Sequence, residues 1–231
     1  MKYDAVILDL FGTLIDKFSL REHESVLAEM ASVLSSPSDD FIQLWFDTFN
    51  ERGLGIFQSL EANIEYICSK LELKPEDTQI TLAAQINVER TARSMKPRPY
   101  ATELLSYLKS EGYKTGLITT CSTSIPKIFN DMPLAALIDV AVFSSLVRLQ
   151  KPDPRIYQLA VEQLVVKPEN CLYIGDGDSQ ELTGASQVGM HPVLIRDPDE
   201  DSTEVHRVDN EAETWHGLAI LSLKEVLALL E

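Results

Sequence analysis

The sequence predicts an α/β fold, in which a doubly wound, mostly parallel β-sheet carries a helical insert. Short apolar runs recur along the chain after glycine or proline, and they are continuous, as expected for strands that are buried on both faces. Amphipathic stretches lie between these runs, and such alternation is typical of a parallel sheet with helices on both faces. One long interval breaks the alternation, because its apolar pattern is helical throughout.

The apolar runs are the predicted strands, at residues 5–10, 115–119, 139–145, 171–176 and 191–197. The amphipathic stretches are the predicted helices, at residues 99–111, 123–130, 153–165 and 178–188. The acidic segment 196–213 has little apolar content and is predicted to be an exposed loop.

The helical interval runs from about residue 18 to 94. Within it, apolar residues repeat at three- and four-residue steps, the mark of an amphipathic helix; they are Phe57, Leu60, Ile64, Ile67 and Leu71. Two prolines follow the interval, and proline prevents a helix from continuing. We therefore predict a core at residues 1–16 and 96–231 and a helical insert at residues 17–95.

Composition and charge narrow the class of protein. The chain has 231 residues, of which 45% are hydrophobic and 24% charged, the usual values for a globular protein with a substantial core. Its 36 acidic residues outnumber 20 lysines and arginines, for a formal charge of −16. Because this charge repels nucleic acid and anionic lipid, neither is an expected partner. A small phosphorylated substrate is compatible, since a local cation outweighs a distant net charge.

Cysteine usage and the N-terminus indicate the compartment. Cys68, Cys121 and Cys171 are widely spaced, so we expect neither a disulfide framework nor a zinc site. The apolar stretch near the N-terminus is too short for a signal peptide, and no run reaches the ~18 apolar residues of a transmembrane helix. The expectation is a cytoplasmic protein without a membrane partner, either a monomer or a homodimer.

Four chemically active side chains follow the predicted strands; they are Asp9, Thr119, Lys151 and Asp176. In an open parallel sheet, ligands bind outside the carboxyl ends of the strands. Singly, these residues have plainer explanations, such as a surface lysine or a helix N-cap. Together at one edge of a sheet, they predict one mutually satisfied cluster, because each is costly to bury alone.

The predicted cluster can process an anion. Asp9 can attack an electrophile, and Lys151 can neutralise both this nucleophile and the substrate. The amides of Leu10 and Phe11 and the Thr119 hydroxyl can receive the charged oxygens that develop in the transition state. A second carboxylate facing Asp9 would repel it unless a hard cation such as Mg²⁺ lay between them.

The order and spacing of four motifs resemble those of the haloacid dehalogenase-like (HAD) hydrolase superfamily. The motifs are "DLFGTL" at 9–14, Thr119 in "GLITTCS", Lys151 in "QKPDPRIY" and "GDGDSQELTGA" at 175–185. The resemblance covers about residues 1–16 and 96–195, and the insert lies where that family has a helical cap. It implies a HAD-like Rossmannoid core, a cap domain at residues 17–95 and hydrolase activity.

The resemblance also implies roles for individual residues. Asp9 would be the covalent nucleophile, and Thr119 and Lys151 would position the substrate. Thr120 is either a further substrate-binding residue or a bystander that the backbone places next to the site.

The implied metal is Mg²⁺, bound by Asp176 together with Asp9 and the carbonyl of Phe11. Glu181 matches the second acid of the last motif and is expected to steady the metal. Asp178 is a rival for that role.

Phe11 conflicts with this metal site. Phosphatases of the family have an aspartate two residues after the nucleophile, which protonates the leaving oxygen and later activates water. Phenylalanine has no proton to give, so ~10²–10⁴ in rate is expected to be lost. The family's dehalogenases carry an aromatic residue there, since a departing halide needs no proton. In the last motif they generally replace the metal-binding acid by a neutral residue, whereas this chain keeps Asp176 and Glu181.

Three functions follow, of which the first is preferred because two metal-binding acids make little sense in a metal-free reaction. It is Mg²⁺-dependent hydrolysis of a small phosphate ester through an aspartyl-phosphate on Asp9, with general acid catalysis weakened by Phe11. The second is 2-haloacid dehalogenation, for which Arg21 and Arg52 are candidate carboxylate-binding residues. The third is a catalytically impaired HAD-fold protein with a binding or regulatory role.

Overall fold

A parallel β-sheet forms the centre of the molecule. The computed structural model describes residues 2–17, 19–196, 209 and 211–230. Its strands are β1 (Ala5–Leu8), β2 (Lys114–Thr119), β3 (Val140–Phe143), β4 (Cys171–Gly175), β5 (His191–Ile195) and β6 (Ala219–Ile220). They form one six-stranded sheet in the order β3-β2-β1-β4-β5-β6, and every neighbouring pair is parallel. The predicted α/β fold class is thus confirmed.

Helices account for most of the remaining described residues. The insert contains α1 (Leu20–Val33), α2 (Ser38–Asp47), α3 (Phe49–Gly53), α4 (Leu60–Lys70) and α5 (Asp77–Ser94). The core contains α6 (Ala101–Ser110), α7 (Ile125–Asn130), α8 (Ser144–Val147), α9 (Pro154–Leu164), α10 (Glu181–Gln187), α11 (Glu211–Thr214) and α12 (Val226–Leu229). Short 3₁₀ turns lie at Pro133–Leu137, Pro168–Asn170 and Leu223–Glu225. No helix in the described ranges combines the length and apolar character needed to cross a membrane.

The central strand β1 is buried on both faces. Val6 and Leu8 pack into a cluster with apolar residues of α6, α7 and α12. Ala5 and Ile7 point the other way, into a cluster with α9 and α10. A continuous apolar run is therefore required here, because the side chains on both faces are buried. Burial of each large apolar side chain stabilises the fold by ~1.5–3 kcal/mol.

The insert is helical, as expected. Between residues 17 and 95, the described part of the chain contains no β-strand. Ser19 and Ser59 cap α1 and α4, since their hydroxyls accept hydrogen bonds from the amides of Glu22 at 3.1 Å and Ala62 at 3.2 Å. The insert also has its own apolar cluster, separate from those of the sheet. This cluster supports the division into core and cap, whose boundaries remain predictions.

Several parts of the chain were not anticipated, among them α8 and α12. The edge strand β6 was missed because it is two residues long, and a short apolar run does not distinguish strand from helix. The predicted loop at 196–213 lies mostly outside the described residues, but Glu211 and Ala212 are buried, so the prediction is wrong there. The Glu211 carboxylate accepts from the amides of Leu182 at 2.9 Å and Thr183 at 2.8 Å. It thereby supplies hydrogen-bond acceptors for amides in the first turn of α10, which have no partner within the helix.

Candidate active site

The parallel register brings the candidate residues to one edge of the sheet. Leu8, the last residue of β1, lies opposite Leu117 of β2 and Ile174 of β4. Asp9 follows β1 directly, and its amide donates to the carbonyl of Ile174 at 2.9 Å. Asp9 therefore lies between the carboxyl ends of β2 and β4, where a doubly wound sheet binds its ligands.

A lysine links two of the acids. Lys151 Nζ donates to Asp9 Oδ1 and to Glu181 Oε2, both at 2.6 Å. The three side chains are at most 5% exposed. Charges buried this deeply require partners of opposite sign, and the pairing joins the end of β1 to the starts of α9 and α10.

Glu181 is held by further donors. Tyr173 donates its hydroxyl proton to Glu181 Oε2 at 2.8 Å, and the amide of Gly177 donates to Oε1 at 2.9 Å. The hydroxyl of Tyr157 donates to the Glu181 carbonyl at 3.0 Å. A Cβ at Gly175 would lie 2.2 Å from Glu181 Oε1, so only glycine fits there. Both oxygens of Glu181 are therefore engaged by the protein itself.

A second lysine contacts the third acid. Lys17 Nζ forms a close ion pair with Asp176 Oδ2, and the two side chains are 12% and 3% exposed. The turn that permits this contact includes Gly12, whose φ is +83°. A Cβ at Gly12 would lie 2.4 Å from Lys17 Cε and 2.5 Å from Asp176 Oδ2. Glycine is thus required both by the backbone conformation and by the space.

The three acids form a potential metal centre. One carboxylate oxygen from each of Asp9, Asp176 and Glu181 lies within 4.8 Å of the other two. Carboxylate oxygens are hard donors, which suit Mg²⁺. Asp178 lines the adjoining cavity but does not belong to this group of converging oxygens.

Burial and mutual charge perturb the acidity of the cluster. Burial raises the pKa of Asp9 above its usual value, a shift that Lys151 opposes and Asp176 reinforces. Burial also raises the pKa of Glu181, well above its usual value. For Lys151, burial alone would lower the pKa, but the carboxylates of Asp9 and Glu181 outweigh it and hold the pKa well above its usual value. Lys151 therefore remains an ammonium group.

A cavity of about 210 Å³ lies between this cluster and the helical insert. Asp9, Phe11, Lys151 and Asp176 line it from the core side, and Lys17 lines it from the linker before α1. The insert contributes His23, Trp45, Phe46, Phe49 and Arg52, among others. The core thus contributes charged groups to the cavity, whereas the insert contributes four aromatic rings and one arginine.

The two threonines after β2 differ in position. Thr119 is fully buried as the last residue of β2, whereas Thr120 lines the cavity. Within the described chain, neither hydroxyl has a hydrogen-bond partner. The Leu10 side chain is buried in the core, and its amide lowers the pKa of the Asp9 carboxyl, against the larger effect of burial. That amide therefore already stabilises the ionised form of Asp9.

Phe11 and Arg52 shape the cavity in different ways. Phe11 is partly buried against the core cluster and presents no ionisable group to the cavity. Arg52 is only 8% exposed and lies over the Trp45 ring at 4.4 Å. It donates to the Trp45 carbonyl and to Thr48 Oγ1, and burial lowers its pKa to about 9. Of the two candidate arginines, Arg52 reaches the cavity and Arg21 is exposed.

Sequence reasoning missed Lys17 and Tyr173. Lys17 stands in a linker, where a lone lysine is usually a solvated residue, and its contact with Asp176 depends on the turn at Gly12. Tyr173 lies within an apolar strand, where an aromatic residue is usually part of the core. One signal was available in the sequence. Tyr173 stands two residues before Gly175, and alternate residues of a strand share a face, so its hydroxyl could be expected on the same face as Gly175.

Comparison with known proteins gives a family match over most of the chain. A model of haloacid dehalogenase-like hydrolases matches residues 3–189. Rhythmically expressed gene 2 protein of Drosophila melanogaster is 33% identical over 119 residues, which span 48% of this chain and 46% of that protein. The match thus spans about half the length of that relative.

Other relatives match over most of their length. Glyceraldehyde 3-phosphate phosphatase of Pyrococcus furiosus is 26% identical over 98% of this chain and 92% of its own. (S)-2-haloacid dehalogenase H-109 of Pseudomonas putida is 24% identical over 81% of this chain and 83% of its own. The crystal structure of a HAD phosphatase from Thermococcus onnurineus superimposes with a TM-score of 0.66 at 21% identity, covering 98% of this chain and 97% of that one. That likeness establishes the fold.

Proposed function

Since the chain belongs to the haloacid dehalogenase-like hydrolase family, we propose that it is a Mg²⁺-dependent phosphatase that hydrolyses a small phosphate ester through an aspartyl-phosphate on Asp9. The convergence of three buried carboxylate oxygens within 4.8 Å, beside a buried lysine, carries this proposal. Phosphatases among the relatives support it further.

The reaction has two displacements at phosphorus. In the first, an oxygen of Asp9 forms a bond to phosphorus while the bond from phosphorus to the leaving oxygen breaks. In the second, water attacks phosphorus, the bond to Asp9 breaks, and inorganic phosphate and the free carboxylate result. Lys151 holds Asp9 Oδ1, which orients the nucleophile and offsets the charge that builds up during attack.

The metal would be held by Asp9, Asp176 and the carbonyl of Phe11, with Glu181 steadying the site. Glu181 suits a supporting role, because both of its oxygens already accept hydrogen bonds. A bound Mg²⁺ would offset the negative charge of the phosphate and of the carboxylates around it.

Two hydroxyls are proposed to bind the phosphoryl oxygens. Thr120 lines the cavity, and Thr119 matches the family's motif residue at the end of β2. Both hydroxyls are buried without a partner among the described residues. A buried hydroxyl without a hydrogen-bond partner destabilises the folded protein. A phosphoryl oxygen would supply the missing acceptor.

A dehalogenase is the second candidate, supported by Phe11 and Arg52. A leaving halide needs no proton, and a buried arginine in the cavity suits a substrate carboxylate. The same cavity contains Asp176, and Glu181 lies behind it, which argues for a metal-dependent reaction. Release of halide from 2-chloropropionate without metal, at a rate above that of phosphate ester hydrolysis, would favour the dehalogenase.

We expect hydrolysis of p-nitrophenyl phosphate in Mg²⁺ and its loss in EDTA. The leaving group of this ester is a weak base, so the missing acid at position 11 matters little. Measuring nitrophenolate release by absorbance, with Mg²⁺ restored after chelation as the control, tests the metal dependence. Equal rates in Mg²⁺ and EDTA would refute the metal-dependent mechanism.

Phe11→Asp is expected to raise the turnover of alkyl phosphates by ~10²-fold, the lower end of the usual contribution of a general acid. The new carboxyl would protonate an alkoxide leaving group, whereas p-nitrophenyl phosphate should gain little. Initial rates on both substrates, with Phe11→Leu as the matched apolar control, test this expectation. An equal gain in Phe11→Leu, or no gain in Phe11→Asp, would contradict the missing-acid explanation.

A further inference from the structure

Two lysines form ion pairs with the three acids of the site. Lys151 binds Asp9 and Glu181, and Lys17 binds Asp176. With all five groups ionised, three carboxylates and two ammonium groups leave one net negative charge. Without the ammonium of Lys17, the same cluster would carry two negative charges, which match one divalent cation.

Lys17 and a divalent cation would use the same atom. Its ammonium contacts Asp176 Oδ2 directly, and Asp176 is one of the three converging acids. A cation bound to that carboxylate would lie within a few ångströms of the ammonium, where like charges repel strongly because the site is poorly solvated. Occupation of Asp176 by one of them therefore disfavours the other.

We propose that Lys17 sets the metal affinity of this site, because its ammonium competes with the divalent cation for Asp176 and pairs with the substrate phosphate when displaced. This inference rests on the phosphatase function proposed above. It assigns to Lys17 a role in coupling the two ligands, since the phosphate supplies the negative partner that Asp176 gives up to the metal.

The position of Lys17 allows such a displacement. It belongs to the linker between the core and α1, and it lies in neither a helix nor a strand. Its side chain lines the same cavity as Asp9 and Lys151, so a small rotation would direct the ammonium from Asp176 toward the cavity. A single rotation of the Lys17 side chain would therefore move its ammonium away from Asp176 and bring it to a bound phosphate.

Calorimetric titration of Mg²⁺ into Lys17→Met tests the competition. We expect Lys17→Met to bind Mg²⁺ at least tenfold more tightly than the wild type. Lys17→Arg retains the positive charge and should bind as weakly as the wild type. Lys127→Met, an exposed lysine on α7, is the matched control and should leave the affinity unchanged. Thermal unfolding of each variant verifies that it is folded.

Inorganic phosphate tests the coupling. We expect phosphate to tighten Mg²⁺ binding by the wild type more than by Lys17→Met. Only in the wild type can the Lys17 ammonium move from Asp176 to the phosphate. Equal tightening in both proteins would overturn the coupling.

The two proposals fail in different ways. An unchanged or weaker affinity for Mg²⁺ in Lys17→Met would overturn the competition and leave the phosphatase intact. Absence of Mg²⁺ binding in all four proteins would overturn the metal-dependent phosphatase and the inference together.

Discussion

Asp9→Asn is expected to lower kcat for p-nitrophenyl phosphate by ~10⁴-fold or more, because a carboxamide is a very poor nucleophile. The change is nearly isosteric, so the fold should survive. It also removes the negative charge that Lys151 meets at 2.6 Å, which disturbs the electrostatic balance around Glu181. Steady-state rates in saturating Mg²⁺ measure the effect.

The matched control for this variant is Asp131→Asn, at an exposed position after α7, which should retain wild-type turnover. Retention of a tenth of the wild-type kcat in Asp9→Asn would exclude Asp9 as the nucleophile. The activity would then have to arise from another group in the cavity.

Lys151→Met is expected to have the largest effect on stability. It leaves Asp9 and Glu181 buried without their common ammonium partner, and breaking a buried ion pair by removing one member costs ~3–5 kcal/mol. Turnover should fall as well, because the nucleophile loses the group that orients it. Chemical denaturation at neutral pH measures the loss of unfolding free energy, and Lys151→Arg tests whether a retained charge limits it.

This destabilisation should depend on pH. Burial already raises the pKa of Asp9 and Glu181 in the folded protein, and loss of Lys151 raises both further. A carboxyl whose folded pKa exceeds its unfolded value costs stability as the pH rises above the unfolded value of ~4. The difference between Lys151→Met and wild type should therefore shrink on acidification. A difference below 1 kcal/mol at neutral pH, or one independent of pH, would contradict the paired cluster.

The strands of the core were predictable because their burial requires a pattern that is visible in the local sequence. Residues 5–8 and 171–175 are covered on both faces, and this requires a continuous apolar run that the sequence displays. The edge strand β6 has two residues and shows no such pattern. Glu211 was also unpredictable, because its burial depends on capping α10 across 29 residues of chain.

Asp9, Lys151 and Asp176 were anticipated because they lie at or after the ends of predicted strands, and parallel strands end at one edge. Glu181 was anticipated only from the resemblance of the last motif. Lys17 could not be anticipated in the same way. Its contact with Asp176 depends on a turn at Gly12, where the backbone is left-handed. The direction of the Lys17 side chain after such a turn cannot be read from the neighbouring residues in the sequence.

Phe11 and the acidic pair point to different chemistries when each is considered alone. In the folded chain, Phe11 and Asp176 line one cavity, so a single substrate meets both. A phosphate ester with a good leaving group satisfies both conditions. The proposed Mg²⁺ would offset its negative charge, and its leaving oxygen would depart without a proton donor.

Acid quenching of a single turnover, followed by mass spectrometry, tests the central claim most directly. If Asp9 attacks phosphorus, part of the quenched protein should be heavier by one phosphoryl group, located on the peptide that contains Asp9 and formed only in Mg²⁺. Turnover of p-nitrophenyl phosphate without such an adduct, or with the phosphoryl group on any other residue, would contradict a covalent phosphatase built on Asp9.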